Sequence, residues 1–196
     1  VTTSIRNDLK APDEIVFGFC GRLDMKTKGL DLLFNGIAQF VSQYPNQNVK
    51  FKMVGDGADR KKLEQLAHSL QITSQVTFLG SQFGAEKLNT IKQCHFMMLT
   101  SRNEGMPMVL LEAAALALPS VVSVPTNMGR YVTKYKSGLV LPHNTASEIC
   151  NAIQQCIQIV ESSQYHIYQQ GAINMIKREF VWSDIAQKLI DMYAQG

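Results

Sequence analysis

Nothing in this sequence is long and apolar enough to span a membrane: no hydrophobic run approaches the ~20 residues that a helix needs to cross a bilayer, so a soluble chain is expected. Cysteine is scarce. The four thiols, Cys20, Cys94, Cys150 and Cys156, have no metal-ligand spacing, and two of them fall in apolar runs, so they read as buried thiols of a reducing compartment. Excess charge is missing too. A net charge of +3 is too small to argue for nucleic acid. Arg60-Lys61-Lys62 and Lys134/Lys136 read as solvated faces, with phosphates or an anionic membrane as the alternative. No Gly-x-Gly-x-x-Gly follows the first apolar run, which disfavours a nicotinamide-binding site. A signal-peptide pattern is absent and a cytoplasmic location is expected; the start at Val1 rather than methionine suggests a trimmed chain.

What is present is an ordinary globular composition, 45% hydrophobic and 18% charged, in 196 residues. A chain of that length buries ~70% of its unfolded surface and needs no disulfide or metal to hold it. Residues 1–12 are polar, unpatterned and closed by Ala11-Pro12-Asp13, the signature of a linker, which leaves 13–196 as one domain.

The domain reads as a repeated strand-loop-helix unit. Ile15–Cys20 is a buried strand, followed by a basic loop, Gly21 to Gly29, and by apolar positions at helical spacing from Leu30 to Val41. Tyr44-Pro45-Asn46 stops that helix. Val49–Val54 is a second strand closed by Gly55-Asp56-Gly57, with a helix through Leu63 and Leu70. Val76–Leu79, Cys94–Leu99, Ser120–Val124 and Leu139–Leu141 complete about six strands, with helices through Leu88 and Ile91 and near Arg130–Tyr135. From Thr145 onward the chain is helical: one helix to about Val160, one through Met175, and one opening at Ser183-Asp184. Continuous apolar strands alternating with helices predict an α/β, Rossmann-like doubly wound parallel sheet with helices on both faces and C-terminal helices.

The chain is organised around residues 101–119. An apolar strand ends there in a polar elbow carrying Glu104, and a helix is expected to start at Pro107, where the missing N–H of proline costs nothing. The helix amides from about Met108 onward then make a site that favours an anion or a polar oxygen. Glu112 follows eight positions after Glu104, so the two carboxylates serve one ligand only if Glu104 reaches over from the loop. In open parallel sheets ligands bind outside the carboxyl ends of the strands, where the loops after strands one to four share one rim. Those loops carry Arg22, Lys28, Gly55, Gly57, Phe83, Glu104 and the amides after Pro107, a set suited to a phosphorylated, hydroxyl-rich ligand. Each piece has a plainer alternative: a solvated lysine, a Gly-Asp-Gly turn, a glutamate that only complements the helix dipole.

Five ordered motifs also carry a family resemblance: Phe19-x-Gly21-Arg22-Leu23 with Lys28-Gly29, Met53-Val54-Gly55-Asp56-Gly57, Val76-x-Phe78-Leu79-Gly80, Glu104-Gly105-Met106-Pro107-x-Val109-Leu110-Leu111-Glu112-Ala113, and Gly138 to Pro142. Over residues 15–195 the chain resembles the carboxy-terminal, donor-binding half of a family 4 glycosyltransferase of the GT-B fold. The resemblance implies that Arg22 and Lys28 hold the diphosphate of a UDP- or GDP-sugar and act with Glu104 as catalytic groups, stabilising charge on the leaving group. It implies that Glu104 approaches the sugar hydroxyls, that the Gly105-Met106-Pro107-Met108 backbone and Val109 lie against sugar and phosphate, and that Glu112 grips the ribose. Gly21, Gly55, Ser81 and Phe83 complete the implied donor site, with the loop after Gly80 flanking the base. Transfer with retention and without a cofactor or metal is implied, and no Asp-x-Asp pair occurs to hold a divalent cation. The implied partners are the nucleotide-diphosphate sugar and a glycan or glycolipid acceptor held by an amino-terminal domain, with peripheral association at the cytoplasmic face of a membrane. A surface polysaccharide or lipopolysaccharide is the implied product class.

Three positions depart from the family pattern. Ala117 stands where a glycine is usual two residues before the proline, Thr126-Asn127 replaces the usual Gly-Gly loop after the fifth strand, and Arg130 replaces a glutamate. Two alternatives remain beside the transferase: a nucleotide-sugar epimerase or phosphorylase on the same fold, and a non-catalytic nucleotide-sugar-binding domain.

Overall fold

The computed structural model describes residues 12–180. The expected linker up to residue 11 and the expected last helix from Ser183 lie outside the described residues. Six strands form one sheet in the order β3-β2-β1-β4-β5-β6, every pair parallel. In chain order they are β1 (Ile15–Cys20), β2 (Val49–Val54), β3 (Val76–Gly80), β4 (Phe96–Leu99), β5 (Ser120–Ser123) and β6 (Gly138–Leu141). This is the doubly wound order, and the direction of winding reverses between β1 and β4.

Strand side chains alternate between the two faces, as a two-residue period requires. Ile15, Phe17 and Phe19 of β1, Phe96 and Met98 of β4 and Val121 of β5 enter one core; Val16, Met97, Leu99 and Val122 enter the other. Three stacked rings run across the first face, Phe51 on Phe17 at 4.9 Å and Phe17 on Phe96 at 6.3 Å between centroids. The central strands β1 and β4 are buried on both faces and are continuous apolar runs, whereas β2 carries half-buried Lys50 and Lys52 and β3 an exposed Thr77.

The first face is covered by α2 (Leu30–Gln43), α3 (Arg60–Ser69) and α7 (Ala146–Glu161). The second is covered by α4 (Gly84–Lys92), α5 (Met108–Ala115), α6 (Gly129–Tyr135) and α8 (Tyr165–Glu179). Leu30, Leu33, Phe34, Ile37 and Phe40 of α2 are wholly buried, the stripe a 3.6-residue period predicts. α7 opens on a variant of the capping box: the Thr145 hydroxyl accepts from the Glu148 amide, and the Glu148 carboxylate accepts from the amide of His143, two residues before the cap.

Four sequence expectations need correction. The basic loop after β1 contains a single-turn helix, α1 (Met25–Lys28), capped by the Asp24 carboxylate, which accepts from the Thr27 amide. The central helix starts at Met108, with Pro107 outside it in an extended conformation and supplying the carbonyl for the Leu110 amide. β4 starts at Phe96, because Cys94 still closes the turn after α4 through its amide bond to Ile91. β5 ends at Ser123, and Val124–Thr126 is a 3-10 turn with Pro125 in its first turn, where proline's fixed φ is accommodated.

α2 and α7 approach closely at Gly36, where an added Cβ would lie 2.5 Å from Ile149 Cγ2 and 3.0 Å from the Ala146 carbonyl oxygen. Gly36→Ala is therefore expected to cost about 1–3 kcal/mol through overpacking, read as a lower urea midpoint with an unchanged slope.

Candidate functional site

The reversal between β1 and β4 leaves a crevice at the carboxyl ends of those strands. A cavity of about 220 Å³ sits there, lined by Phe19, Cys20, Lys28, Leu99, Ser101, Glu104, Met106, Pro107, Met108 and Val109. One wall comes from the end of β1 and from α1, the other from the end of β4 and the elbow leading into α5.

Each wall is positioned by specific contacts. Two carboxylates cap α1: Asp24 accepts from the Thr27 amide at 2.9 Å and Asp59 from the Met25 amide at 3.0 Å. The backbone bond to Thr27 is the main cause holding the Asp24 carboxyl below its usual value. α1 ends at Gly29, which is left-handed at φ 63° and lies so close to Thr100 that a Cβ there would meet its carbonyl oxygen at 2.1 Å. The Thr100 hydroxyl donates toward the carbonyls of Lys28 and Gly29, both at 3.2 Å, and Asn144 Nδ2 donates to the Thr100 carbonyl at 2.6 Å. Lys28, the residue before the glycine, is thereby aimed across the crevice.

Its ammonium meets Glu104 Oε1 at 2.5 Å, and the two side chains are only 19% and 15% exposed. Ser101 Oγ donates to the same carboxylate oxygen at 2.9 Å. The Glu104 loop is held from behind, its amide donating to the Pro125 carbonyl and its carbonyl accepting from Asn127 Nδ2 at 2.7 Å. Asn127 is left-handed at φ 60°, the conformation a glycine would supply at this place, and asparagine tolerates it. Ala117 is likewise left-handed at φ 58°. Both departures from the family pattern thus keep the glycine-type backbone. Arg130 lies 4.5 Å above the Tyr131 ring and donates to its hydroxyl at 2.5 Å.

A second ion pair flanks the cavity. Lys87 of α4 contacts Glu112 of α5 at 2.8 Å, both half-buried. Burial pushes the Cys20 thiol up, Lys87 pulls it down and Glu112 pushes it up, so both charges act on that wall.

The structure brings together Lys28, Glu104, Met106, Pro107, Met108 and Val109 around the cavity. Gly21, Arg22, Gly55, Ser81, Phe83, Gly105 and Glu112 lie outside its lining. Arg22 is 69% exposed, with one 3.4 Å contact to Asp24. Gly55 packs where a Cβ would lie 1.9 Å from the Gly21 carbonyl, so these two glycines fit the first and second loops together. Phe83 is 80% exposed just before α4. Phe19, Cys20, Leu99 and Ser101 are wall residues that the sequence reasoning missed; their signal was their place at the carboxyl ends of β1 and β4. Among the described residues no group of His, Cys, Asp and Glu is placed to hold a metal ion, and no helix is long and apolar enough to cross a membrane. Within the basic clusters Arg60 pairs with Asp56 and Glu64, Lys62 with Asp59 and Lys134 with Glu179.

Asp31 in the first turn of α2 and Arg102 on the elbow form a two-pronged pair, both bonds at 2.7 Å. Burial pushes the Asp31 carboxyl up, but the hydrogen bonds and charge of Arg102 outweigh it and hold the group below its ordinary 3.8. A carboxyl lowered on folding stabilises the fold above its unfolded value and loses that contribution as pH falls through its folded value. Arg102→Ala removes the largest of the opposing causes, so the Asp31 titration, followed by carboxyl carbon NMR, is expected to move upward.

The family model described as glycosyl transferases group 1 matches residues 1–171. The D-inositol 3-phosphate glycosyltransferase of Stackebrandtia nassauensis is 29% identical over 97% of this chain and 44% of the relative. One component of the human phosphatidylinositol N-acetylglucosaminyltransferase is 27% identical over 85% of this chain and 33% of the relative. The chain thus spans less than half the length of these curated relatives. Anabaena HepE, solved in complex with UDP, superposes with a TM-score of 0.79 at 23% identity, covering 94% of this chain and 50% of that one. The carboxy-terminal domain of a group 1 family protein from Francisella tularensis, solved on its own, gives 0.71 at 16% identity, covering 86% and 87%.

Proposed function

Since the chain belongs to the group 1 glycosyltransferases, we propose that it is the donor-binding half of a retaining, metal-independent hexosyltransferase that takes a nucleotide-diphosphate sugar. The observation that carries this reading is the shielded Lys28–Glu104 pair lining a cavity at the winding reversal, with the Met106 to Val109 segment along one wall. An ammonium at that place meets a diphosphate and stabilises the charge that grows on it as the sugar departs. Beside it, the Glu104 carboxylate accepts from sugar hydroxyls. Glu112, released from Lys87, accepts from the ribose. Arg22 reaches the diphosphate from outside the cavity, at little cost, because an exposed ion pair contributes at most about 1 kcal/mol.

HepE, whose fold superposes on 94% of this chain, was solved with UDP, which supports a nucleotide donor here. The acceptor, a glycan or glycolipid of a surface polysaccharide, is bound by a domain beyond this chain, and the two together carry out transfer at the cytoplasmic face of a membrane. No cofactor takes part.

Calorimetric titration with UDP and GDP tests the reading. One nucleotide is expected to bind, and Lys28→Ala and Glu112→Ala, checked for folding by circular dichroism, each to weaken it by about 1.5–3 kcal/mol, the cost of a lost hydrogen bond to a charged group. Unchanged affinity in both variants contradicts it.

A further inference from the structure

Arg102 makes more bonds to the opposite wall than any role on its own loop requires. Its amide donates to the Thr27 carbonyl at 2.8 Å. One guanidinium nitrogen donates to the Lys26 carbonyl at 3.0 Å and approaches that of Met25 at 3.4 Å. The same fork closes on both oxygens of Asp31 at 2.7 Å. The carbonyls at the end of a helix have no partner within it, and Arg102 supplies the last carbonyls of α1 with donors. Its other prong is anchored to α2, so three elements are tied at one side chain.

Lys28 is the last residue of α1 and Glu104 is two residues beyond Arg102. The geometry points to Arg102, paired with Asp31, as a positioning residue that sets the α1 turn and so holds the Lys28 ammonium against Glu104. The inference rests on the donor-site reading for its consequence, a pre-organised diphosphate contact. A planar five-donor fork is what the place demands, since the three donors of a lysine ammonium sit on one nitrogen and do not span the two carbonyls and two carboxylate oxygens that arginine serves. The guanidinium itself is outside the cavity lining, so it acts through Lys28.

A double-mutant cycle on this chain tests it, with UDP and GDP as probes and hydrogen exchange of the peptide spanning 24–30 as a second readout. Arg102→Ala is expected to weaken the bound nucleotide about tenfold or more, as misplacement of a charged group does, with Asp31→Asn acting in the same direction and Arg102→Lys falling between. In a Lys28→Ala background the same Arg102→Ala change is expected to cost less than about twofold, because residues that act through one another are not additive. Exchange over 24–30 is expected to quicken in Arg102→Ala while the β-strands stay protected. Additive losses, or unchanged exchange over 24–30, overturn the inference. Should the wild-type chain bind neither nucleotide, the donor-site reading fails separately, and the exchange result alone decides whether Arg102 holds the turn.

Discussion

The rim of this domain depends on the backbone of Gly29 lying against the carbonyl of Thr100. A Cβ at that place would sit 2.1 Å from the oxygen, so only glycine permits the approach, and the left-handed φ of 63° favours glycine for a second reason. Thr100 closes the gap by donating to the carbonyls on either side of the Lys28–Gly29 bond. The consequence is positional. The loop after β1 and the loop after β4, 72 residues apart in the chain at Lys28 and Thr100, become one surface.

On that surface the charges are arranged in opposed pairs across neighbouring elements: Lys28 with Glu104, Lys87 with Glu112, Asp31 with Arg102. Removing a single partner from a shielded pair leaves an uncompensated charge and costs more than the pair contributes. A ligand that presents both an anion and hydroxyls avoids this, because it offers each member a replacement partner at once: phosphate for the lysine, hydroxyl for the glutamate. A nucleotide-diphosphate sugar carries both features.

Much of the fold was legible in the sequence. β1 and β2 have the bounds expected of them; β1, buried on both faces, is apolar, whereas β2 keeps Lys50 and Lys52 half-buried between its buried residues. The rim also followed, because a parallel sheet places its loops at the carboxyl ends of the strands. Hidden from the sequence were the contacts that tie distant loops. Nothing near Lys28 announces Glu104, nor near Lys87 announces Glu112, because each pairing is set by the packing of whole elements. α1 was missed because a single turn has no periodicity; its only local signal was Asp24 three residues before Thr27. The departures at Ala117 and Asn127 became intelligible only through their left-handed backbone, which composition does not reveal.

The most direct test of the central claim, that a donor nucleotide occupies the cavity lined by Lys28 and Glu104, is methyl NMR of the methionines during addition of UDP and GDP. Met106 and Met108 are half-exposed at the cavity wall, whereas Met98, Met128 and Met175 are buried away from its lining. Saturable shifts at Met106 and Met108, with the three buried methyls unmoved, are the expected result. Binding that leaves Met106 and Met108 unmoved would place the nucleotide elsewhere and contradict the account.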